Sequence, residues 1–197
     1  MKPIDLIPAS ACANARKWAA TQTGTPEQAW NACPRGDWLL WLAHYFGVER
    51  RLLVLSASDC AASVVDLVKS ESPLASVWAI DSARRFARGE TDVEECRAAA
   101  DAAACAADAA DASAAYVAYA SAAYAAAYAA YAADAASAAD AAYAAAAAAA
   151  CAAYTTADAY TTAADAARKK KHAECARLVR KHIPWAVIEA AIAKGKP

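Results

Sequence analysis

The chain has little with which to turn. Five glycines and seven prolines serve 197 residues, and none of either falls between Thr91 and His182. Gly and Pro are the strongest punctuation of a backbone, so a stretch without them is expected to be helical nearly throughout. A second absence lies inside the first. From Ala98 to Ala167 there is no Lys, Arg or Glu, and 45 of the 70 residues are Ala. Ala loses no side-chain entropy on entering a helix and is the best helix former. The other 25 positions are eight Tyr, seven Asp, four Thr, three Ser, two Cys and one Val. No recognisable catalytic constellation is among them.

Two further absences bear on compartment. None of the seven cysteines forms a CxxC pair, and their number is odd. This argues against a disulfide framework and for a reducing compartment, with Cys acting as a small buried hydrophobe. Long apolar runs are missing as well. The opening MKPIDLIPASACANA has an Ala-x-Ala string but no signal-peptide core, since IDLIP is short and contains Asp and Pro. The tract has charge-free windows of spanning length, Ala141–Ala157 among them, but Ala is too weakly apolar to drive insertion alone. The expectation is a soluble, cytoplasmic chain without membrane contact.

What is present divides by charge and by size. Residues 1–97 carry 11 basic and 12 acidic groups, residues 98–167 seven Asp and no base, and residues 168–197 nine basic and two acidic groups. The segments therefore hold −1, −7 and +7. One reading is antiparallel packing of the basic tail on the acidic tract. The other is two surfaces of opposite sign, one of them a partner site. The larger core formers sit at the two ends: Trp18, Trp30, Trp38, Trp41, Leu53, Val54, Trp78 and Phe86 in front, and Val179, Ile183, Trp185 and Ile188 behind. These ends are expected to meet and to seal Ala-rich helices between them.

The pattern predicts one all-α domain over 1–197. Trp/Leu-rich helices fill 1–90, Ala-rich helices 91–182, and a terminal helix 184–194, giving a compact multi-helix array with a close-packed Ala-rich central layer. Thr25 caps a helix with Pro26 at its first position. Asp37 is expected to cap the next, which Gly47 ends. Helices from Val48 to about Val68 and from Pro73 to about Arg88 follow, and Thr91–Glu94 reads as a capping box. One straight helix from there to His182 would be on the order of 135 Å long, so breaks are expected near Asp111–Ser113, Ser137–Asp140 and Tyr154–Thr156.

Three strings, AWNACPRGDWLLWLA (29–43), IDSARRFARGE (80–90) and CARLVRKHIP (175–184), occur in this order around the Ala-rich insert. As a set they resemble the helical immunity-protein-5-like domains of bacteria and their phages, over roughly residues 25–184. The resemblance implies an all-α fold and neutralisation of a toxin by direct binding, without catalysis. It supplies no catalytic residues to carry over.

Candidate sites follow from chemistry. Asp108, Asp111, Tyr116, Tyr119, Tyr124, Tyr128, Tyr131 and Asp134 would form an acidic aromatic surface. Tyr buries much area at low entropic cost, and Asp suits a basic protein effector or toxin. The alternative is a small-molecule binder that sequesters an anionic metabolite or nucleotide with Arg84, Arg85 and Arg88. A third reading is a structural helical scaffold that assembles with itself, so a homo-oligomer stays open. His172, Cys175 and His182 lack a fourth ligand, and no metal or cofactor is expected. His44 has no nucleophile or acid beside it. The Thr spacing does not fit ice binding, and the Asp residues are too sparse to mimic DNA. Nucleic acid is not the expected partner, and neither is a substrate.

Overall fold

Thr25 starts a helix as its sequence says it should. Its hydroxyl accepts the Gln28 backbone N–H at 3.2 Å, the Gln28 side chain accepts the Thr25 N–H at 2.8 Å, and Pro26 stands at the first position. The computed structural model describes residues 2–65, 74–109 and 162–195. Within these residues a 3-10 turn, Pro3–Leu6, precedes eight α-helices: α1 (Ala13–Ala20), α2 (Pro26–Ala32), α3 (Gly36–Tyr45), α4 (Arg50–Val65), α5 (Leu74–Arg88), α6 (Val93–Ala109), α7 (Thr162–His182) and α8 (Trp185–Ala193). No strand occurs among the described residues, and the fold class is all-α.

Helix ends follow the punctuation closely, with two corrections. Gly47, Gly89 and Gly195 sit just past α3, α5 and α8 with φ near +75°, a conformation that favours Gly because it has no Cβ. Asp37 does not cap α3. The helix starts at Gly36 behind Arg35, and Asp37 lies within its first turn, where its carboxylate binds the Arg35 guanidinium at 2.8 and 2.5 Å. Arg35 offers a charge-assisted partner that outweighs a capping bond to a backbone N–H. The box before α6 is shifted by one residue. Asp92, not Thr91, accepts the Glu95 N–H, at 3.0 Å, while the Glu95 carboxylate turns to Thr91 and Arg85. The expected breaks near Asp111–Ser113, Ser137–Asp140 and Tyr154–Thr156 lie outside the described residues.

The two ends of the chain do meet. α7 packs on α3 and α4, α8 reaches α2, and the hairpin of α4, α5 and α6 completes the layer. Leu39, Leu40, Leu53, Val54, Val179, Ile183 and Ile188 are fully buried in this seam. Ala99, Ala100 and Ala103 bury one face of α6, and α5 is its main neighbour. Trp78 departs from its expected place. It lies 42% exposed on the outer face of α5 with Leu74 and Val77, while Ala79, Ile80, Ala83 and Phe86 carry that helix into the core.

The basic end of the chain also works inside the fold. Lys171 is buried and donates to the Ser63 carbonyl of α4 at 3.1 Å and to Glu174 at 2.7 Å. Arg180 reaches across to α2 and donates to the carbonyls of Cys33 at 2.8 Å and Trp30 at 3.4 Å. It thereby closes the carbonyl end of this seven-residue helix. Arg180→Met keeps the stem and removes the donors, so it is expected to lower stability by about 1.5 kcal/mol in urea unfolding. An unchanged midpoint would show that α2 holds without this clamp.

Four of the described cysteines, Cys33, Cys60, Cys96 and Cys175, are buried as free thiols, and Cys12 is exposed. Cys60 Sγ donates to the Cys175 carbonyl at 3.7 Å. The adjacent Cys175 thiol and complete burial push the Cys60 thiol well above its ordinary range, so it packs as a neutral group.

Candidate functional site: a tryptophan-lined cleft

Five of the six tryptophans come together at one corner of the molecule. Trp18 comes from α1, Trp30 from α2, Trp38 and Trp41 from α3, and Trp185 from the start of α8. They line a cleft of about 710 Å³ that the 3-10 turn and α1 help to enclose. This volume falls in the range of small-molecule sites, which are mostly apolar with a few polar groups.

Helix α3 builds the wall by being apolar on more than one side. Leu40 and Ala43 face the seam, while Trp38, Leu39, Trp41 and Leu42 line the cleft. A helix apolar nearly all round is normally enclosed by protein. Here the second apolar face fronts a hollow. Trp18 and Trp38 lie 6.2 Å apart at 52°, a tilted pair, and the Arg35 guanidinium stands 5.0 Å above the Trp38 ring.

The polar groups of the cleft are few. Arg35 and Asp37 form the bidentate pair described above. His172 of α7 approaches Asp37 from behind, at 3.9 Å. Burial, with help from the Arg35 and Arg168 charges, holds this histidine down to about 4 against the pull of Asp37, so it is neutral near pH 7. The Cys33 thiol donates to the Arg35 carbonyl at 3.6 Å, and burial pushes it up to about 11 against that hydrogen bond. A thiol so placed is no nucleophile at neutral pH. Trp30 is almost wholly buried, and its Nε1–H has no acceptor among the described residues.

The residues singled out from sequence lie elsewhere. Asp108 falls in α6, but its side chain lies outside the described set, and Asp111, Tyr116, Tyr119, Tyr124, Tyr128, Tyr131 and Asp134 lie outside it altogether. Arg84, Arg85 and Arg88 do not converge. Arg84 binds Asp59 of α4 at 2.6 and 3.1 Å, Arg85 binds Glu95 of α6, and Arg88 binds Glu90 at 2.7 Å. Each guanidinium already has its own carboxylate.

Asp59 is the busiest of these carboxylates, since His182 at the end of α7 meets its other oxygen at 2.8 Å and Lys181 stands 3.9 Å away. Burial raises its pKa, but the hydrogen bonds from His182 and Arg84 outweigh burial and hold the carboxyl below its ordinary value. The cluster ties α4, α5 and α7 together. His182 and His172 are thus engaged by different carboxylates, and no group of three metal-ligating side chains occurs among the described residues. His44 is half-buried on α3.

Sequence reasoning assigned the tryptophans to the core, where Trp30 lies and against which Trp18, Trp38 and Trp185 pack, but missed the cleft that they also line. The available signal was density: four of six tryptophans fall between residues 18 and 41, in a chain with two phenylalanines. In comparison with known proteins, no family model matches the chain, nor does any curated protein or solved structure. Among the described residues no helix is long and apolar enough to cross a membrane.

Proposed function

We propose that this chain is a non-catalytic binding protein and that the tryptophan-lined cleft is where its ligand sits. The observation that carries the reading is a cleft of about 710 Å³ whose lining includes five tryptophans from four helices. Large aromatic surfaces left facing a hollow invite an apolar occupant, because filling it removes their area from water at about 25 cal/mol per Å². The cleft's charged pair is mutually engaged and its buried thiol, Cys33, is protonated, which suits holding a molecule more than transforming one. The ligand class is a small apolar molecule, held by sequestration.

Native mass spectrometry of the protein purified gently from the cells that make it tests this reading. The expected result is an adduct of a few hundred daltons, lost in a Trp38→Ala/Trp41→Ala variant. A bare chain that also fails to take up small aromatic probes would overturn it.

A second reading keeps the resemblance to immunity-type domains, in which the chain neutralises a basic effector in the cytoplasm. It is favoured by the seven Asp and no base of residues 98–167. An added mass of many kilodaltons in the same spectrum, lost on Asp111→Lys plus Asp134→Lys, would support that reading instead.

A further inference from the structure

The lining of the cleft divides by exposure. Its buried part is apolar apart from the Cys33 thiol, with Trp30, Leu39 and Phe46 each no more than 5% exposed. Among the described lining residues only Ser10, Cys12 and Asn14 are exposed, and each carries a hydrogen-bonding side chain. They stand close together in the chain, where it enters α1. The cleft therefore has an apolar interior and one exposed polar lip.

The lip is uncommitted. The side chains of Ser10 and Asn14 have no partner among the described residues. Cys12, just before α1, makes no capping bond with its thiol. The only charged groups of the described lining, Arg35 and Asp37, are joined to each other by two bonds of 2.8 and 2.5 Å. No lining charge is left over for a ligand to neutralise. A hydroxyl and an amide stand ready instead, and each can both donate and accept.

We propose that the ligand of this cleft is an uncharged amphiphile, with its apolar body against Trp30, Leu39 and Phe46 and one hydroxyl or amide end on Ser10 and Asn14. The proposal rests on the cleft being the binding site, as argued above, and adds the direction in which the ligand lies. In mostly apolar pockets a few placed polar groups fix orientation. A hydroxyl or amide end matches the lip because it, too, donates and accepts. A carboxylate only accepts and an ammonium only donates. Either would give up hydration at the lip without meeting an opposite charge.

Three probes that share one ring system separate the parts of this proposal: 2-methylnaphthalene, 2-naphthalenemethanol and 2-naphthoate. Calorimetric affinities for the full chain and for Ser10→Ala/Asn14→Ala form a thermodynamic cycle. Both residues are exposed, so the variant is expected to keep the fold. The alcohol is expected to lose roughly 3- to 10-fold in affinity beyond whatever the hydrocarbon loses. On the unaltered chain at pH 7 the naphthoate is expected to bind more weakly than the alcohol by roughly 3-fold or more.

A second readout needs no variant. Nuclear Overhauser contacts from the methylene protons of the alcohol should reach the Asn14 side-chain amide, and those from its ring protons should reach Leu39. Equal losses for alcohol and hydrocarbon, or methylene contacts that miss Asn14, would overturn the orientation while leaving the cleft as a binding site. A naphthoate that binds as tightly as the alcohol would overturn the uncharged end. Failure of all three probes to bind would overturn the cleft reading itself.

Discussion

Gly36→Val is expected to lower the melting temperature by roughly 6–12 °C, the shift that about 3 kcal/mol produces in a chain of this size. A Cβ at position 36 would lie 2.8 Å from Cys175 Cβ, 2.9 Å from the Cys175 carbonyl carbon and 3.0 Å from the Ala176 nitrogen. Two of those three atoms are backbone, so no rotamer change in α7 relieves the clash. The helices would have to part where α3 and α7 cross, which is also where the front and back of the chain meet.

Gly36→Ala should show the same effect at reduced size, about 2 kcal/mol, because Ala recovers part of the loss through its helix propensity. Calorimetry on both variants checks the ordering. Adding Cys175→Gly should restore only part of the loss, since it removes one of the three atoms. A full rescue would place the strain in the side chain and show that the two backbones are not in contact.

Acid should unfold the protein earlier than its carboxylates require, through His172. The sign follows from protonation. In the unfolded chain this histidine has an ordinary value of 6.5, and burial in the folded chain holds it to about 4. Between those values the unfolded state binds a proton that the folded state refuses, so stability falls as pH falls and is level above that window.

The loss from pH 7 is about 2 kcal/mol by pH 5 and approaches about 3 kcal/mol by pH 4. Urea titrations across this range measure it, and His172→Gln should flatten the slope whatever it does to stability at neutral pH. A slope that survives the substitution would assign the acid sensitivity elsewhere. Asp59 acts lower down. Its carboxyl is held below the ordinary 3.8, so its contribution is present above that value and disappears as pH drops through the folded one. The two groups therefore act in successive windows.

Local structure was readable residue by residue. Thr25 with Pro26, and the glycines at 47, 89 and 195, act over one turn of chain, and each is found at the boundary its sequence implies. Asp37 and the box before α6 were misread because a guanidinium competed for each carboxylate, and competition between side chains is set by distance as well as by order. Trp78 was misplaced for a related reason. Burial depends on which face of α5 the neighbouring helices cover, and α5 covers its small residues Ala79 and Ala83 beside Ile80 and Phe86.

By itself the sequence determined that this protein is helical, that its helices begin and end where capping residues and Gly stand, and that its two ends carry the large apolar side chains. These properties arise from backbone entropy and from contacts a few residues apart. Only the tertiary structure decided that the tryptophans which fill or flank the core would also line a cleft. Whether an apolar face is covered or left open depends on how α1, α2, α3 and α8 dock, and those residues are up to 167 positions apart. The same holds for Arg180 on the carbonyls of α2, and for Asp59 between Arg84 and His182. Hydrophobic patterning specifies that a side chain leaves water, and the docking of distant helices determines what it meets.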